Sequence, residues 1–171
     1  MSAGPMHPSS IVPMNDSIAF PKTYVGGGAT PDDEKGMGFA DATDVTGDDN
    51  AWKLTFPLPR GQLPAGLTPY LVLDTRAPVA TGVLALNVSA MCVDPGLSAE
   101  EDPSDGSYTD EGSVDVDYGS GSYVADEYRQ VLVEITETLV AGERLHVLIA
   151  YDDSAHTIAA EAWADAYLIW E

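Results

Sequence analysis

The sequence predicts an all-β protein: an antiparallel β-sandwich of jelly-roll type that follows an extended N-terminal arm. Three observations predict it. From Ala51 onward, apolar and polar residues alternate with a period of two in short runs bounded by Gly, Pro, Asp and Ser. Neither heptads nor a repeat of 20–50 residues interrupts that pattern. At 171 residues and 44% apolar composition, the chain suits one core, with material enough to fill it.

Trp52-Lys53-Leu54-Thr55-Phe56 places Trp52, Leu54 and Phe56 on one face of a strand, which Pro57-Leu58-Pro59 ends. Tyr70 to Thr75 forms a second strand after the turn-rich Leu63-Pro64-Ala65-Gly66-Leu67. Gly82 to Val93 is the longest, with Leu84, Leu86, Val88, Ala90 and Cys92 on one side. Asp94 to Gly112 has no apolar face and reads as a long surface loop. Val114 to Tyr118 alternates as a short strand, turned by Gly119-Ser120-Gly121. Arg129 to Thr138 sets Val131, Val133 and Ile135 on one face, and Arg144 to Tyr151 sets Leu145, Val147, Ile149 and Tyr151 inward. Ala162 to Trp170 carries apolar bulk on both faces, so it is central or covered by a partner. Thr157 to Ala164 is Ala-rich, yet reads as a loop or single turn leading into that strand. Seven or eight strands result, enough for two packed sheets.

Residues 1–50 read differently. Pro5, Pro8, Pro13, Pro21 and Pro31 preclude a helix of useful length, and Gly26-Gly27-Gly28 forms a hinge. The apolar clusters Ile11-Val12, Ile18-Ala19-Phe20 and Tyr24-Val25 look like anchor points of an arm laid on another surface. The domain boundary is therefore placed at 50/51, with 1–50 contributing little to the fold and 51–171 forming the sandwich.

Charge narrows the function. There are 28 Asp and Glu against 7 Lys and Arg, a net charge of −21. So few cations exclude a nucleic-acid binder and disfavour an anionic membrane surface. Asp outnumbers Glu, and only Lys22, Lys35 and Lys53 are lysines, which exposes more charge and less hydrocarbon. That composition resembles proteins of extreme halophiles, in which molar salt screens self-repulsion. The N-terminus has neither a basic region nor an apolar core of the secretory type, and no run approaches a membrane span, so cytoplasmic synthesis is expected.

Reaction motifs are weak throughout. No G-x-S-x-G elbow occurs, and Gly26-Gly27-Gly28 lacks the Lys-Ser or Lys-Thr of a phosphate loop. His7, His146 and His156 are scattered, and His146 on its strand reads as a packed or surface residue. Cys92 reads as a small buried hydrophobe, and one cysteine with no close His pair disfavours zinc. No resident cofactor is expected. Calcium is the one metal alternative, with Asp44, Asp48, Asp102, Asp105, Asp152 and Asp153 as candidate ligands in acidic loops, though no EF-hand pattern appears. Asn87-Val88-Ser89 fits a glycosylation triplet but falls inside a strand.

The order of these elements resembles a known group. Leu54-Thr55-Phe56-Pro57-Leu58-Pro59, Leu71-Val72-Leu73-Asp74-Thr75 and the closing segments Arg144 to Tyr151 and Ala162 to Glu171 look like the small jelly-roll virion proteins of tailed viruses. These are capsid decoration, turret, head-fibre and tail-appendage subunits, and the acidity points to a haloarchaeal virus. The resemblance implies a non-enzymatic virion structural protein that forms homo-oligomers, with a trimer expected. Its other partners would be the major capsid protein or further virion proteins, gripped by the arm. The interface candidates are Ile11, Val12, Ile18, Phe20, Tyr24 and Val25 in the arm, with Leu168 and Trp170 on the last strand. Two alternatives stand beside it. A carbohydrate-binding sandwich for host attachment would use aromatics among Trp163, Trp170, Tyr123, Tyr128 and Tyr151, of which Trp163 and Tyr151 suit the core better; a small glycan hydrolase would need two convergent carboxylates.

Overall fold

The computed structural model describes residues 4–13, 23–25, 35–39, 51–77, 81–95, 108–119, 127–152, 155–158 and 162–171. Among the described residues ten strands run in chain order: β1 (Ser10–Pro13), β2 (Thr23–Val25), β3 (Lys35–Phe39), β4 (Ala51–Pro57) and β5 (Pro69–Arg76) come first. Then follow β6 (Val83–Val93), β7 (Thr109–Asp117), β8 (Arg129–Glu134), β9 (Arg144–Tyr151) and β10 (Ala162–Trp170). They form two five-stranded antiparallel sheets, in the orders β1-β4-β9-β6-β7 and β2-β3-β10-β5-β8.

The topology identifies the roll. Strand β3 pairs with β10, β4 with β9, β5 with β8 and β6 with β7. That is one long hairpin of eight strands, rolled so that its paired ribbon crosses between the two sheets. The jelly-roll sandwich expected from the alternation is therefore present. Strands β1 and β2 add one edge strand to each sheet.

Alternation built the core as expected. Trp52, Leu54 and Phe56 of β4 pair with Ile149, Val147 and Leu145 of β9, and all six are fully buried. From the other sheet, Leu71 and Leu73 of β5 sit beside Leu168 and Ala166 of β10. The alanines at 162, 164 and 166 make room for the bulk opposite, since their buried positions carry one methyl each. A polar cross-tie closes one end: the Tyr118 hydroxyl donates to Thr75 Oγ1 at 2.8 Å, and Thr75 donates to the Arg129 carbonyl at 3.2 Å. The Arg129 guanidinium lies 4.6 Å above the Tyr118 ring and donates to the Asp117 carbonyl. Burial holds the Tyr118 phenol above its ordinary pKa, against the lowering effects of Thr75 and Arg129.

Four expectations need correction. The described parts of the first 50 residues are not an arm apart from the domain, for β1 and β2 join the sheets and β3 is the first strand of the roll itself. Met37 of β3 is fully buried opposite Ala164, and β1 pairs four residues with β4, its Ile11 packing on the core. Prolines there preclude helices, but edge strands tolerate them because one side of such a strand needs no donors. Second, Leu168 and Trp170 are not interface residues. At 0% and 4% exposed they fill the core, because the inward phase of β10 is the even-numbered one. Third, the last four residues of the expected loop Asp94 to Gly112 already belong to β7. Fourth, β8 ends at Glu134, although Ile135 beyond it remains buried. Ile18 and Phe20 lie outside the described residues, and Tyr24 and Val25 are placed in β2 by backbone alone.

Candidate functional site

With the even positions of β10 turned inward, its outer face presents Asp165, Tyr167 and Ile169. The neighbouring strands complete a surface in register. Tyr70 of β5 lies between Ile169 of β10 and Glu134 of β8; Val72 lies between Tyr167 and Leu132; Asp74 lies between Asp165 and Gln130. Two rows are thus largely apolar or aromatic, and the third is polar. Leu132 is 45% exposed, whereas Val72 at the centre of its row is 1% exposed under its neighbours. A sheet face open to water is ordinarily polar at alternate positions. This one is not.

The polar row is tied together by hydrogen bonds. Gln130 Nε2 donates to Asp74 Oδ1 at 2.9 Å and to the Tyr167 hydroxyl at 3.0 Å. Desolvation and the Asp74 carboxylate hold the Tyr167 phenol above its usual pKa, while the Gln130 bond lowers it. The ring of His7 stacks at a tilt on Tyr167, centroids 5.8 Å apart. It is held there by Met6, whose backbone exchanges two 2.8 Å hydrogen bonds with Leu168. The chain then crosses to the other sheet, where Ser9 N donates to the Thr55 carbonyl at 2.7 Å. At the rim of the polar row, Arg76 lies 5.2 Å from the centroid of the Tyr128 ring, and Tyr128 is 55% exposed.

The sequence candidates distribute unevenly over this geometry. Val12 is exposed on β1, on the opposite sheet, while Ile11 turns inward. Trp170 is a core residue, Tyr123 lies outside the described residues, and Tyr151 and Trp163 are placed by backbone alone. Of the calcium candidates, Asp44, Asp48, Asp102, Asp105 and Asp153 lie outside the described residues. Asp152 uses its carbonyl to accept from Ala155 N and His156 N at 3.1 and 3.0 Å. No metal-binding group of three or more His, Cys, Asp or Glu occurs among the described residues. Some carboxylates have structural work instead. Glu111 accepts from Thr136 N, Thr136 Oγ1 and Glu137 N at 2.6–2.9 Å, and Glu137 accepts from Cys92 N at 3.1 Å.

Tyr70, Val72 and Leu132 were not among the sequence candidates. The signal was present: Tyr70-Leu71-Val72-Leu73 is apolar on both phases, the mark of a strand covered on both faces.

The chain matches no family model and no curated protein. Among solved structures it is similar to a family 28 carbohydrate-binding module specific for non-crystalline cellulose, at 12% identity and a TM-score of 0.45, covering 78% of this chain and 74% of that one. A mannan-recognising family 27 carbohydrate-binding module follows at 13% identity and a TM-score of 0.43, covering 80% and 73%. An arabinose-bound family 51 α-L-arabinofuranosidase gives 12% identity and a TM-score of 0.48, covering 98% of this chain but only 25% of that one. At such identities and scores, the functional reading rests on this chain's own residues.

Proposed function

We propose that this protein is a non-catalytic structural subunit that associates with copies of itself, of the kind that decorates or extends a virion surface. The observation that carries the proposal is the outer face of β10, β5 and β8. Its two rows Glu134-Tyr70-Ile169 and Leu132-Val72-Tyr167 leave apolar and aromatic side chains on the outside of a sheet. Exposed Leu132, beside the partly exposed Tyr70, Tyr167 and Ile169, gives the face an apolar component that a partner would cover. A second copy is the occupant best matched to it in a chain of −21, because Leu132, Tyr70, Tyr167 and Ile169 supply uncharged contact area beside Glu134, Asp74 and Asp165. Molar salt weakens the repulsion between Asp74, Asp165 and Glu134 of facing copies and leaves apolar burial intact. Mass spectrometry of purified particles from the host tests the virion part: the chain is expected in many copies per particle, and its absence from particles would contradict the reading.

Carbohydrate binding is the second reading, favoured by the hydrogen-bonded Tyr167, Gln130 and Asp74 beside the Tyr70 ring. Sugars take aromatic platforms flanked by fixed polar groups. A glycan array separates the two: signal lost in Tyr167→Ala would favour a sugar site on this face, and a blank array would favour self-association.

A further inference from the structure

The triplet Asn87-Val88-Ser89 has no part in the self-association described above. It lies in the middle of β6, in the sheet opposite to that of β10, β5 and β8. A glycosylation acceptor is ordinarily found in a surface loop, so a strand interior is an unusual setting for one. Here the strand itself supplies the surface.

Period two separates the three side chains. Val88 is fully buried, whereas Asn87 is exposed and Ser89 half-buried on the outer face. Asn87 is the one exposed residue among the eleven of β6. Register gives it small neighbours: Ser113 of β7 on one side, Ala150 of β9 on the other, and Ala51 of β4 beyond. Apart from Asn87 itself, no side chain in that row extends past a methyl or a hydroxymethyl group. Next to Ser89 the register with β7 shifts, and Gly112 of the bulged strand adopts a φ of +102°. A Cβ on Gly112 would meet nothing within 4 Å, so the space beside the bulge is open. Among the described residues, neither the Asn87 carboxamide nor the Ser89 hydroxyl takes part in a hydrogen bond.

We infer that Asn87 is a glycan attachment site, N-linked through its carboxamide nitrogen. The chemistry needs an asparagine and a hydroxyl two residues on, and an extended backbone sets them about 7 Å apart on one side. The donor class is a sugar held at its anomeric carbon by a phosphate ester. Asn87 Nδ2 attacks that carbon, the carbon–oxygen bond to phosphate breaks, and the phosphate leaves with the bonding pair. The proton lost from Nδ2 passes to a base of the transferring enzyme. Transfer precedes the pairing of β6 with β7 and β9, and the finished sheet then carries the glycan over its row of small side chains. The inference is independent of self-association. The two are compatible, because the glycan and the β10, β5 and β8 face belong to opposite sheets.

The test is peptide mass spectrometry of the full chain recovered from the cells that produce it naturally. Asn87→Gln, Ser89→Ala and Ser89→Thr, made in the same cells and checked for native melting, stand beside it. The native peptide that contains Asn87 is expected to carry a sugar mass, with fragment ions that place it on Asn87. Asn87→Gln and Ser89→Ala should each lose that mass completely, and Ser89→Thr should keep it. A peptide found only at its unmodified mass would overturn the inference. So would a sugar that persists in natively folded Ser89→Ala, is lost from natively folded Ser89→Thr, or maps to a serine or threonine instead.

Discussion

At the scale of single residues, burial decides reactivity and strain. Cys92 packs half-buried at the end of β6, and burial, followed by the nearby Glu143 and Glu137, raises its thiol pKa to about 11, although a backbone hydrogen bond at Val140 lowers it. Only about one thiol in a thousand is then ionised at pH 8, and the thiolate is the reactive form. Alkylation by iodoacetamide at pH 8 should therefore be far slower in the native chain than in urea; equal rates would refute the burial. Gly82 has φ of +90°, and a Cβ there would meet the Thr157 carbonyl oxygen at 2.5 Å and Ile158 Cα at 2.7 Å, both backbone. Gly82→Ala should cost about 1–3 kcal/mol or more, read as a lowered denaturation midpoint. Tyr118 gives the alkaline limit. Its folded pKa is raised, so its contribution is complete below the unfolded value near 10 and is lost as pH rises through the folded one. Tyr118→Phe should flatten the fall in stability above pH 10, and an unchanged slope would mean that another group is responsible.

At the scale of elements, what could be read in the sequence depended on how many residues alternate together. β4, β5, β6, β9 and β10 have seven to eleven residues each, long enough for the period to show, and their expected bounds fall within two residues of the observed ones. β1, β2 and β3 have three to five residues, and their surroundings are rich in Pro, Gly and Asp. In Lys35-Gly36-Met37-Gly38-Phe39, glycines replace the alternating side chains, so no apolar face can be counted. The pairing with β10 that makes this a strand is more than 100 residues away in sequence. The outer face was half legible: the two-sided apolarity of β10 was read correctly, but which side faced inward was not. That choice depends on Ala162, Ala164 and Ala166 being the small partners required inside, a fact of packing between sheets. The correction reverses the expected result of truncation. Removal of residues 1–50 takes away β3 and uncovers an edge of β10, so the remainder should lose cooperative unfolding; a melt unchanged from the full chain would restore the independent arm. Met37→Ala, a smaller change, should cost about 2–5 kcal/mol.

At the scale of the whole molecule, the charge of −21 is a global stress on a compact sandwich. The Debye length falls from about 10 Å at 0.1 M to about 3 Å at 1 M, so the melting temperature should climb steadily with KCl over that interval. A flat profile would remove the halophilic explanation of the composition. The carboxylates that cap backbone donors, Glu111 and Glu137, should be exceptions to any neutralising substitution series, each destabilising when replaced by Ala even in high salt. Salt also bears on association, since the same screening lets acidic copies approach. The most direct measurement of the central claim is sedimentation equilibrium of the full chain in molar KCl, beside Leu132→Glu. A carboxylate at the half-exposed Leu132 should leave the fold intact but place charge on the most exposed apolar side chain of the shared face, at its β8 edge. The expected result is an oligomer for the native chain and a folded monomer for the variant. A native chain that stays monomeric at tens of micromolar, or a variant that associates as well as the native chain, would contradict a subunit that assembles through β10, β5 and β8.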